Sequence, residues 1–174
     1  MLTLILGPMF GMKTTELLRR LRRAQIAGKK VILFRPTTDT RDHLTHDKLS
    51  HNIEEKFTAR LFFSDWEKYD IIGIDEGQFF VSLAQDAAYF ADKGKTVIIS
   101  ALNGTSERKP FDEIQKLIPE AEEIVKLNAV CMDCGSDFAT FSYYKAGNKE
   151  KDVQVGDENE YMALCRGCYN ARSR

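Results

Sequence analysis

The chain has 174 residues, 43% of them hydrophobic and 29% charged, the make-up of one folded domain or one domain with a small appendage, which excludes a disordered chain. Its charge sum of −1 argues against a nucleic-acid coat protein or a general polyanion binder, and no apolar run approaches the roughly 20 residues that cross a bilayer. The opening Met1-Leu-Thr-Leu-Ile-Leu6 has no basic lead, is short for a signal peptide and runs into Gly7-Pro8, so it reads as a strand and the protein as cytoplasmic.

In chain order, Thr3–Leu6, Lys30–Phe34, Ile71–Ile74 and Thr96–Leu102 are short and rich in Val and Ile, as buried parallel strands are. Between the first two, Thr14–Ala27 carries Leu17, Leu18, Leu21 and Ala24 on one helical face and ends at Gly28. Arg19-Arg-Leu-Arg-Arg23 within it reads as a solvated face, with subunit or phosphate contact second. From Thr37 to Asn52 the chain is polar and holds all three histidines, His43, His46 and His51; their spacing matches no helical metal pair, and a long functional or disordered loop is expected. Leu83, Ala84, Ala87, Ala88 and Ala91 mark another one-faced helix, and Phe111–Ile118 a shorter one stopped by Pro119. Such alternation predicts an α/β fold, a parallel sheet with helices on both faces, over residues 1–127. From 128 to 174 the stretches Phe138–Tyr144, Asp152–Val155 and Tyr161–Leu164, separated by turns such as Ala146-Gly-Asn-Lys149, predict a small β-rich unit.

Three groups of residues carry chemistry. Gly7-Pro-Met-Phe-Gly-Met-Lys13-Thr14-Thr15, between a strand and a helix, is nearly the phosphate loop G-x-x-x-x-G-K-[ST]. That loop needs inward backbone N–H groups, a lysine for the β/γ phosphates, a hydroxyl on the Mg²⁺ side and a helix dipole behind them. Lys13 and Thr14 are correctly spaced from Gly7, but Met12 fills the second glycine position and Gly11 comes one residue early. If the backbone turns left-handed there, methionine costs about 1–2 kcal/mol unless Gly11 absorbs the turn. Next, Ile71-Ile-Gly-Ile-Asp75-Glu76-Gly77-Gln78 brings two carboxylates to the carboxyl end of a buried strand, where open α/β sheets bind ligands. One acid can serve the Mg²⁺ shell and the next can orient or deprotonate an attacking group. Last, the four cysteines form two pairs, Cys131-Met-Asp-Cys134 and Cys165-Arg-Gly-Cys168, each half of a tetrahedral structural Zn²⁺ site closed to catalysis. Reduced core pairs or a redox dithiol are the alternatives.

Together these residues resemble the zinc-containing type II thymidine kinases, the cytosolic and viral family. The resemblance extends over nearly the whole chain, through Asp39-Thr-Arg41, Thr45-His-Asp47, Ile74-Asp-Glu-Gly-Gln-Phe-Phe80, Gly94-Lys-Thr-Val97, Gly104-Thr105, Arg108-Lys-Pro-Phe111, Lys126-Leu127, Ala129-Val-Cys-Met132 and Tyr161 ahead of Cys165-Arg-Gly-Cys-Tyr169. It implies transfer of the ATP γ-phosphoryl group, with Mg²⁺, to the 5′-hydroxyl of thymidine, a nucleotide-salvage reaction. It implies Glu76 as general base, with Lys13 and Arg41 on the transferred phosphoryl group. Gly7, Pro8, Met9, Phe10, Gly11, Met12, Lys13, Thr14, Thr15, Asp39, Asp75 and Gln78 are the implied ATP and Mg²⁺ site. Met9, Phe79, Leu102, Phe111, Val153, Val155 and Tyr161 match the nucleoside pocket, Ser142 approximates a base-facing residue, and the C-terminal segment matches a lasso closing over the thymine. A homotetramer and feedback inhibition by dTTP are implied as well, with no nucleic-acid or membrane partner. Met12, Asn103 before Gly104-Thr105, and Ser106 depart from the family pattern, which bears on ATP affinity and opens base preference toward deoxyuridine. Outside this family, an ATP-driven nucleic-acid remodeller and a zinc-ribbon binding module on an inactive nucleotide-binding domain are the rival readings.

Overall fold

The computed structural model describes residues 1–38, 52–61, 65–145 and 160–173. Six parallel strands, β1 (Leu2–Gly7), β2 (Val31–Arg35), β3 (Glu54–Phe57), β4 (Ile71–Ile74), β5 (Thr96–Leu102) and β6 (Glu123–Lys126), form one sheet in the order β3-β2-β4-β5-β1-β6. The four central strands are those expected from their apolar runs. Both edges, β3 and β6, carry charged residues, Glu54, Glu55 and Lys56 in one and Glu123 and Lys126 in the other, with half-buried or exposed side chains, as sheet edges do.

The pleat divides the strand residues between two cores. Leu2, Leu4 and Leu6 of β1 face α2 (Leu83–Asp92) and α3 (Asp112–Leu117), together with Phe34, Ile72, Ile74 and Ile99. Ile5, Val31, Leu33 and Ile98 face α1 (Lys13–Ile26), whose Leu17, Leu18 and Leu21 follow its helical period. Gly73 permits this close seat, because a Cβ there would lie 2.5 Å from Leu21 Cδ1. The β1 connection therefore leaves toward one face and the β5 connection toward the other. Their adjacent carboxyl ends form the crevice where such sheets bind ligands.

The second, antiparallel sheet pairs β7 (Phe141–Tyr144) with β8 (Tyr161–Leu164), and the short helix α4 (Arg166–Arg172) follows. Ala129, Ala139, Tyr143, Ala163, Leu164 and Tyr169 make its own small core. Phe10 of the loop that follows β1 packs against that core, so this loop and the C-terminal lobe share a contact. Asn103 Nδ2 donates to the Thr140 carbonyl (3.2 Å), a bond that an aspartate at this position could not donate. Tyr169 Oη donates to the Ser106 carbonyl (2.5 Å). Asp39, Arg41, Thr45–Asp47, His43, His46, His51, Ala146–Lys149, Asp152, Val153 and Val155 lie outside the described residues.

Candidate active site and thiolate cluster

The loop after β1 solves its missing glycine differently from the expectation. Gly11 does not absorb the turn; Met12 itself is left-handed at φ 57°, as is Phe10 at φ 63°. Space around Gly11 is tight instead, since a Cβ there would sit 3.1 Å from the Pro8 carbonyl oxygen that its own N–H bonds. The Met12 side chain escapes crowding because it is 60% exposed. Behind the turn, α1 presents its positive amino end to the loop, and buried Lys13 donates from Nζ to the Pro8 carbonyl (2.8 Å).

The acidic end of β4 meets this loop. Asp75 is buried, and its carboxylate accepts Thr14 Oγ1 at 3.0 and 3.1 Å to its two oxygens. It also accepts a hydrogen bond from Ser100 Oγ on β5. Sequence reasoning missed Ser100; the available signal was a lone serine inside the otherwise apolar Val-Ile-Ile-Ser-Ala-Leu strand, a hydroxyl that burial obliges to find a partner. Carboxylate and hydroxyl oxygens of this kind are the hard donors that suit Mg²⁺.

Glu76 follows in a left-handed conformation (φ 53°, ψ 47°), and its Oε2 accepts Gln78 Nε2 at 2.7 Å. Phe79, Leu102, Phe111 and Tyr161 are half-buried, and burial pushes the Tyr161 phenol up from its ordinary value. Ser142, expected against the base, is buried and accepts the Met9 N–H at 3.0 Å, joining the lobe to the phosphate loop. Thr15 continues α1 half-buried. A groove of about 430 Å³, bounded by Gln25, Lys30, Glu54 and Tyr69, lies at the amino ends of β2 and β3, the opposite end of the sheet from Asp75 and Thr14.

The four cysteine Sγ atoms lie within 4.8 Å of one another. Cys134 and Cys165 sulfurs are 3.7 Å apart, far beyond a disulfide bond and close to the edge of a tetrahedron with metal–sulfur bonds of about 2.3 Å. Burial raises the Cys131 thiol, but the N–H groups of Cys165, Cys134 and Asp133 outweigh it and hold it at about 6. Cys168, hydrogen-bonded among the Cys134 and Cys165 sulfurs, is pushed up. The group fits a soft divalent metal ion by both geometry and donor type.

The arginine run is more than a solvated face. Arg19 pairs with Glu16, while Arg20 bridges Glu16 (2.8 Å) and Glu123, tying α1 to the edge strand β6. Among the described residues, no helix is long and apolar enough to cross a membrane.

A family model described as "TK: Thymidine kinase" matches residues 1–169. The thymidine kinase of raccoon poxvirus is 45% identical over 172 residues, covering 95% of this chain and 94% of the relative. Thymidine kinase 1 of Dictyostelium discoideum is 43% identical over 176 residues, with 96% and 76% covered. The cytosolic thymidine kinase of Homo sapiens is 44% identical over 169 residues, with 95% and 71% covered.

Proposed function

The chain belongs to the thymidine kinase family, and we propose that it transfers the γ-phosphoryl group of ATP to the 5′-hydroxyl of thymidine, with deoxyuridine as a second acceptor. The observation that carries this reading is Asp75, whose carboxylate joins the phosphate loop through Thr14 and β5 through Ser100. It joins the two halves of a phosphotransfer site at the crevice between β1 and β5.

ATP phosphates would lie against the loop from Gly7 to Thr15, at the amino end of α1. Lys13 would move from the Pro8 carbonyl to the phosphate oxygens and, with Arg41, spread the charge that develops during transfer, Asp39 belonging to the same motif as Arg41. Thr14 and Asp75 would hold Mg²⁺, which would supply neutralisation of phosphate charge when bound. Glu76 would accept the proton of the 5′-hydroxyl as its oxygen bonds to phosphorus. Met9, Phe79, Leu102, Phe111, Val153, Val155 and Tyr161 would wall a neutral base, a pocket that selects by shape and satisfied hydrogen bonds. Zn²⁺ in the cysteine cluster would brace the lobe and take no part in the reaction. Residues 1–127 and 128–174 act as two units joined by Phe10, Ser142 and Asn103, in a cytoplasmic homotetramer open to feedback inhibition by dTTP.

Incubation with Mg·ATP and each deoxynucleoside, followed by chromatography of the monophosphates, tests the reading. Thymidine monophosphate should dominate. Glu76→Gln should lower turnover by about 10²–10⁴-fold while thymidine still binds; loss of binding as well would assign Glu76 a structural role. ATP hydrolysis stimulated by DNA, with no nucleoside product, would favour a nucleic-acid remodeller instead.

A further inference from the structure

We infer that Gln78 is the positioning residue for the Glu76 carboxylate, an amide clamp between the proposed base and the end of β5. The inference rests on the reading of Glu76 as general base. β4 stops opposite Ile99, so the last residues of β5 face the turn Gly77–Phe79 instead of a strand on that side. The Asn103 N–H turns to the Gly7 carbonyl of β1, and the preceding N–H, that of Leu102, points the other way. Gln78 Oε1 accepts it at 3.0 Å.

That bond decides which way round the amide sits. An N–H can be met only by the amide oxygen, so Nε2 must face Glu76, where it donates to Oε2 at 2.7 Å. Both ends of the half-buried amide are thus engaged, one by a backbone position and the other by the carboxylate. Holding one carboxylate oxygen fixes the carboxylate plane, and with it the direction in which the second oxygen accepts a proton. The left-handed backbone at Glu76 aims the side chain from the β4 end, and Gln78 fixes its tip. Leu102 is also a proposed wall of the nucleoside pocket, so the same amide spaces base and substrate. A neutral amide does this without taking a charge from Glu76 or competing for the proton.

Gln78→Glu separates this role from others because the variant keeps an acceptor for Leu102 at nearly the same size. It loses the donor and sets a second carboxylate against Glu76. Turnover should fall on the order of 10²-fold, the cost of a misplaced catalytic group. KM for thymidine and ATP should stay within about twofold, and thymidine binding by calorimetry should be unchanged. In a Glu76→Asp background, whose shorter carboxylate has already parted from the clamp, Gln78→Glu should cost far less. A raised ATP KM with intact turnover would make Gln78 a nucleotide contact and overturn the inference, as would the same fold-loss in both backgrounds. Wild-type turnover in Glu76→Gln would instead bring down the general-base reading first, and the clamp with it.

Discussion

The parallel sheet buries leucine, isoleucine, valine and phenylalanine side chains on both faces, under α1 on one side and α2 with α3 on the other. The β7–β8 lobe has one small core in which three of the buried residues are alanines, beside Tyr143, Leu164, Tyr169 and the buried sulfur of Cys131. A two-stranded ribbon is marginal in water, and at about 25 cal/mol per Å² alanines contribute little burial. The sheet can stand on its hydrophobic cores, whereas the lobe needs a cross-link and a surface to dock on. Its cysteine cluster would supply the first with a metal bound; Phe10, Ser142 and Asn103 supply the second. The loop from Gly7 to Thr15 lies where the two meet, so phosphoryl transfer at that loop would depend on the weaker region as well as the stronger one.

Removing the metal should break the comparison most. Structural zinc in small domains is worth on the order of 10 kcal/mol at neutral pH. Chelation, or Cys134→Ser, should abolish protection of the β7–β8 amides in hydrogen exchange and abolish turnover. The single tryptophan gives an independent view of the sheet, because Trp66 packs on Tyr89 and Phe90 of α2 with ring centroids 5.8 and 5.6 Å away. Its emission should hardly change. A Trp66 transition that coincides with zinc release would mean that the regions unfold as one.

Gly73→Ala attacks the other side. The added methyl meets Leu21, which is fully buried and cannot swing into solvent, so overpacking should cost about 1–3 kcal/mol in urea unfolding followed at Trp66. Lobe protection should persist under native conditions. Met12→Gly, at the junction, should stabilise. Relief of a left-handed methionine is worth about 1–2 kcal/mol, and the added freedom of glycine in the unfolded chain takes back about 0.5–1 kcal/mol. A net gain of up to about 1.5 kcal/mol, with a lower KM for ATP, is expected. No gain would mean that the loop relaxes its turn once methionine is present.

What could be read beforehand follows the same division. The central strands were legible because burial on both faces leaves an unbroken apolar run, and spacing alone singled out Thr14, Asp75 and the cysteine pairs, of which the structure joins Thr14 to Asp75 and gathers the four sulfurs. β3 and β6 were not, because Glu54-Glu-Lys-Phe57 and Glu123-Ile-Val-Lys126 carry the charges that keep edges from pairing with other chains. Helix α4 was hidden by its length, seven residues with Tyr169 alone buried. Ser100 and the Gln78 clamp are tertiary facts: each joins β5 to residues over 20 positions away, and no local pattern announces such a bond.

The smallest expected effect concerns acid. On α1, Arg19 first and Arg20 second hold Glu16 down to about 2, against an ordinary value of 4.5. A carboxylate depressed in the folded state stabilises fully above its unfolded value, and that contribution is lost as pH falls from about 4.5 toward about 2. Glu122 and Glu123 are also lowered, by the Leu2 N–H and by Arg20 respectively, so the wild-type slope alone identifies no single group. The difference between wild type and Glu16→Gln does. Followed at Trp66, it should be greatest above pH 5 and vanish toward pH 2, while salt reduces it throughout because the pair is partly exposed. The lobe has its own acid-sensitive pair, Arg172 with Asp133 (2.6 and 2.8 Å), next to cysteines whose hold on a metal would weaken as acid protonates them. Loss of the lobe above the pH range in which the Glu16 difference closes would show that acid, like chelation, reaches the cross-linked region before the hydrophobic one. Coincident loss would make the Phe10 contact strong enough to merge them.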